Sequence, residues 1–163
     1  MNRPKQEIFI GLLRISMGFI FLWAFFDKLL GLGFATAPDK SWLSGNSPTS
    51  GFLKFGTHGP FKPIFESLAG NPVVDYLFMF GLLGIGIALM VGIVRKIATL
   101  SGTLLLFLMW LAVFPPANNP FLDEHIIYIF SLQLLLHLHS GEVFGFARWW
   151  ENTQLVKKYR WLA

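Results

Sequence analysis

The sequence contains no cysteine at all. That removes a disulfide framework, a CxxC redox pair, a cysteine nucleophile, an iron–sulfur cluster and a thiolate zinc site together. Charge is also scarce, at 13% of residues, about half the fraction usual for a soluble domain. So few charges could not cover a water-soluble fold of 163 residues. The net charge of +4 is too small and too scattered to suggest nucleic acid as a partner.

What is present points to lipid. Hydrophobic residues make up 54% and aromatics 17%, and the mean hydropathy is +0.57. At about 20 apolar residues per crossing, the length allows one domain of four spans and little else. The apolar runs predict spans over residues 8–32, 73–94, 97–114 and 121–140, with a basic tail at 148–163. Residues 33–63, rich in Gly, Pro, Ser and Thr, read as a long loop, and residues 61–69 as a short amphipathic helix lying on the membrane. Ala35-Thr36-Ala37 resembles a signal-peptidase site, but the preceding run is too long for a signal and carries Arg14, Asp27 and Lys28, so it reads as a span. Gly81, Gly84, Gly86 and Gly92 do not complete a dinucleotide fingerprint and are expected to serve close helix packing.

Lys and Arg in short loops mark the cytoplasmic side. They flank the first span (Arg3, Lys5), join spans two and three (Arg95, Lys96) and follow span four (Arg148, Lys157, Lys158, Arg160). The expectation is an all-α integral membrane protein, a four-transmembrane-helix bundle with both termini inside and the long loop between helices 1 and 2 outside.

Charges within hydrocarbon are costly and are candidate functional groups. Counting in from the span ends places Asp27 and Lys28, Asp75, Trp110, and Asp123, Glu124 and His125 in one outer layer. Each also has a plain structural reading. Asp27 and Lys28 would make an interfacial ion pair, and Asn119 or Asp123 would cap the last helix. Arg14 lies within about 40° of the helix face carrying Lys28, and its plain reading is snorkelling to the inner interface. His137 and His139 sit about 160° apart on a helix, and spans one to three hold no histidine, so neither a metal nor a haem is expected.

Arg14-Ile15-Ser16-Met17-Gly18 through Trp23 to Phe26-Asp27-Lys28-Leu29 forms one set of markers. Others are Trp42-Leu43 with Gly45-Asn46-Ser47-Pro48, then Asn71-Pro72-Val73-Val74-Asp75, and Pro115-Pro116 followed by residues 118–125. Together, across about residues 8–140, these resemble the DoxX/DoxD family of four-helix membrane proteins, which includes the small subunit of thiosulfate:quinone oxidoreductase. The resemblance implies the plasma membrane of a prokaryote. It also implies a small sulfur anion such as thiosulfate as electron donor, a membrane quinone as acceptor, and a DoxA-like or other redox subunit, or a second copy, as partner. In that scheme Lys28, Glu124, His125 and Asp27 are the candidate catalytic groups. Arg14, Asp75, Trp110, Asn119 and Asp123 are the candidate substrate-binding groups. The alternative is a non-catalytic DoxX-like protein, an assembly factor, anchor or small-solute carrier, whose outer polar layer holds the loop down.

Overall fold

The computed structural model describes residues 5–162, whose regular elements are all helices, with no strand among them. Helix α1 (Lys5–Leu30) is about 39 Å long at 1.5 Å per residue. It stops at Gly31, whose φ of 69° is the left-handed conformation that glycine adopts without strain. The loop that follows carries α2 (Lys62–Ser67), within the stretch expected to be a short amphipathic helix. Asn71 caps α3 (Pro72–Val91), its side-chain oxygen accepting from the Val73 amide at 2.9 Å, and Pro72 occupies the first turn, where no amide hydrogen is needed. Gly92, at φ 80°, ends α3, and a short turn leads into α4 (Arg95–Ala112). Helix α5 (Glu124–His137) is followed by two short helices, α6 (Ala147–Glu151) and α7 (Gln154–Lys158).

The four long helices form a ring in which α1 packs on α3, α3 on α4 and α4 on α5, with a smaller contact closing α5 onto α1. The core runs along the axis through Met17, Phe21, Met79, Ile85, Leu106 and Leu132. Outside it the pattern of a soluble bundle is inverted. Only about a third of each apolar window in α1, α3 and α4 is buried, while Phe9, Leu77, Phe80 and Leu100 face outward. So much outward apolar surface suits a lipid bilayer rather than water. These three helices are long and apolar enough to cross a membrane.

Three expectations need correction. The fourth run, expected over 121–140, forms a helix of only 14 residues, about 21 Å. Its first residues are spent on the cap at Asp123, and its far end breaks at His139, whose φ is 51°. Arg95 and Lys96 do not precede the third span but open α4. Of the four glycines expected to pack closely, Gly86 and Gly92 do so and Gly81 and Gly84 do not, while Gly18 packs as well. A Cβ on Gly86 would lie 2.6 Å from Leu22 Cγ, and one on Gly18 would lie 2.9 Å from the Met90 backbone nitrogen, so these two let α1 and α3 approach closely. Gly81 and Gly84 meet nothing within 4 Å.

Candidate functional site

The end of the bundle carrying the long loop holds nearly all the polar residues singled out from the sequence. Most are engaged in fastening backbone. Asp27 is buried, and its two oxygens accept from the amides of Phe34 at 3.2 Å and Ala35 at 3.0 Å, which pins the start of the loop to the end of α1. Asp75, also buried, accepts from Ser47 Oγ at 2.8 Å and Thr49 Oγ1 at 2.5 Å, which ties the middle of the loop to the first turn of α3. His58 bonds the Pro115 carbonyl through Nε2 at 3.0 Å and joins the long loop to the loop before α5.

The start of α5 is built the same way. Asp123 caps it, accepting from the His125 amide at 3.0 Å, while its other oxygen bonds His125 Nδ1 at 2.8 Å. Asn119 Oδ1 accepts from the amides of Phe121 and Leu122. Trp110 donates its indole N–H to the Phe121 carbonyl at 3.0 Å and stacks on Phe107. Glu124 is exposed, and no ion pair or hydrogen bond joins it or His125 to Lys28 among the described residues.

At the opposite end Arg14 is 0% exposed and does not snorkel. Its Nε donates to the Ser140 carbonyl at 3.1 Å. Nη1 donates to Leu89 and, at 2.9 Å, to Met90; Nη2 donates to Val143 at 2.9 Å and Phe144 at 3.0 Å. All five N–H groups of the guanidinium fork are therefore used. Leu89 and Met90 lie in the last turn of α3, where carbonyls lack helical partners and the helix dipole favours a cation.

Lys28 differs from all of these. It is half-buried, its Nζ lies 6.0 Å from the centroid of the Phe78 ring, and it has no hydrogen bond or ion pair among the described residues. It stands at the head of an apolar cleft of about 740 Å³. The cleft runs down the flank of α3 and α4 beneath the loop, past Leu53, Phe78, Phe80, Leu104 and Leu108. Phe80, Leu104 and Leu108 are themselves exposed, so the cleft lies on the outward apolar face of the bundle. A second hollow of about 340 Å³, walled by Phe19, Trp23 and Phe34, reaches the other side of Asp27 and Lys28. The larger cleft falls in the size range of small-molecule sites, with mostly apolar walls, a few polar side chains and Lys28 as its one charged group.

The structure thus brings Lys28 to a cavity but does not bring Glu124 or His125 into its lining. Sequence reasoning missed the cleft walls. Leucines and phenylalanines carry no signal among so many others, and only the loop folding back over α3 makes a hollow of them. No group of three or more His, Asp or Glu side chains placed to hold a metal occurs among the described residues. No family model, curated protein or solved structure matches this chain.

Proposed function

We propose that this chain is a DoxX/DoxD-like membrane subunit that binds the ring of a membrane quinone in the α3–α4 cleft. In this reading all four long helices cross the plasma membrane of a prokaryote, the termini are cytoplasmic, and α5 crosses with its neighbouring loops dipping into the bilayer. A DoxA-like or other redox subunit oxidises a small sulfur anion such as thiosulfate and delivers two electrons. With two protons these convert quinone to quinol.

The observation that supports the reading is the half-buried Lys28 ammonium, without an acceptor among the described residues, at the head of an apolar cleft on an outward apolar flank. An ammonium removed from water gains from any acceptor it can reach. A quinone carbonyl is such an acceptor, and an attached isoprenoid chain suits the apolar walls. Glu124 and His125, near the same end of the bundle, are the protonatable groups available to take up or release protons through water.

The experiment is extraction of quinone from the purified protein, followed by rebinding of a short-chain quinone. Retained quinone that Lys28→Met abolishes without loss of folded protein is the expected result. Absence of quinone from both proteins overturns the reading. Orientation is checked by impermeant labelling of introduced cysteines: Lys54→Cys and Asn118→Cys should react in intact cells, and Asn152→Cys should not.

The non-catalytic reading, an assembly factor, anchor or small-solute carrier, draws on a different observation. Asp27, Asp75 and Asp123 are all engaged in holding loops or capping α5. Co-purification of a partner subunit without quinone would favour it.

A further inference from the structure

The segment after α5 has no part in the cleft. It folds under the α3–α4 turn and is well fastened there. The Phe146 amide donates to the Val91 carbonyl at 2.9 Å, Arg95 pairs with Glu151, Lys96 Nζ donates to the Arg160 carbonyl at 3.2 Å, and Trp150 Nε1 donates to the Leu162 carbonyl at 2.7 Å. Ala147 and Val156 are buried in this foot.

What the foot leaves outside is of two kinds. Phe146, Trp149, Leu155, Tyr159 and Trp161 are all exposed, Trp149 at 65% and Trp161 at 61%. Beside them stand Lys157, Lys158 and Arg160, exposed and without an acidic partner among the described residues. The acids of the segment are already engaged, Glu142 by Arg148 and Glu151 by Arg95. Exposed aromatic side chains and unpaired cations therefore share one short stretch. It lies where α3 ends and α4 begins, which for membrane-crossing helices is the lipid–water boundary.

We propose that residues 146–161 form an interfacial foot that docks on the anionic phospholipid headgroups of the leaflet at this end of the bundle. The aromatic and leucine side chains enter the headgroup zone, as amphipathic rings do at membrane interfaces. Lys157, Lys158 and Arg160 meet the lipid phosphates. Charge complementarity selects the partner: each such cation adds about fivefold to attraction toward an anionic surface. A zwitterionic surface offers no such gain. This docking does not depend on the quinone reading.

Because the chain has no cysteine, Gln154→Cys supplies a single labelling site beside the patch. The full-length labelled protein, carrying an environment-sensitive fluorophore, is placed in nanodiscs of phosphatidylcholine with increasing phosphatidylglycerol. Emission should shift to the blue as phosphatidylglycerol rises, and the shift should reverse at high salt, where screening is strong. With Lys157→Gln, Lys158→Gln and Arg160→Gln combined, the phosphatidylglycerol fraction giving half the shift should rise at least severalfold. Trp161→Ala should shrink the shift at low salt. Identical emission in both lipids, or a lipid effect unchanged in the triple variant, overturns the proposal. So does a shift produced by soluble polyglutamate but not by phosphatidylglycerol, which would assign the patch to an acidic protein. Should the triple variant fail to fold, the salt dependence of the labelled parent and Trp161→Ala still decide the matter.

Discussion

Two cations stand fourteen residues apart on one helix and near one face of it, and they are used in opposite ways. Arg14 is closed in by five backbone carbonyls from α3 and from the segment after α5, so no donor remains for a ligand. Lys28 has a phenyl ring near it and a cleft before it. The difference shows that a charge within an apolar helix is not by itself a site. What decides is whether the helix ends and loops around it have already supplied its partners. The same test sorts the acids, since Asp27 and Asp75 are taken up by amides and hydroxyls of the loop.

The largest effect is expected at Arg14. Arg14→Met strands five carbonyls, and at roughly 1 kcal/mol each the loss of about 5 kcal/mol rivals the whole stability of a small domain. Little monodisperse protein should be recovered by size exclusion in detergent. Arg14→Lys offers three donors without the planar fork and should recover only part. Full recovery would break the contrast drawn here.

Next comes the α1–α3 contact. Gly86→Ala places a methyl group against Leu22, including its backbone nitrogen, and should cost about 1–3 kcal/mol in thermal unfolding. Gly84→Ala meets open space and should be neutral. Equal melting of the two variants would show that the helices can slide apart without cost.

Asp27→Ala, one residue from Lys28, leaves the amides of Phe34 and Ala35 without acceptors. A loss of about 2 kcal/mol and faster proteolysis within the long loop are expected. Lys28→Met should move the melting temperature least, because a half-buried ammonium without an acceptor adds little stability, yet it should abolish quinone retention. If it destabilised the protein as much as Asp27→Ala, Lys28 would belong with the fastening groups.

The outline of the fold was legible because its signals are local. Apolar runs mark the long helices, and Asn71-Pro72 marks where α3 starts, whereas the stops at Gly31 and Gly92 lie short of the expected span ends at 32 and 94. The cap at Asp123 was legible for the same reason, since a short side chain reaches only its neighbours. The length of α5 was not, because its far end is set by where the chain turns at His139 to bring the Ser140 carbonyl to Arg14, 126 residues away.

By itself the sequence determined that this chain is helical, that it has helices apolar enough to cross a membrane, and roughly where the long helices lie. These follow from composition and from residues that act on their own backbone. Only the tertiary structure decided that Gly86 packs while Gly84 does not, that Arg14 is spent while Lys28 has no hydrogen bond among the described residues, and that a loop over α3 makes a cleft of otherwise ordinary leucines and phenylalanines. Periodicity places side chains on one face of their own helix, but how far that helix is turned toward its neighbours, and which carbonyls wait there, depends on the packing of all four together.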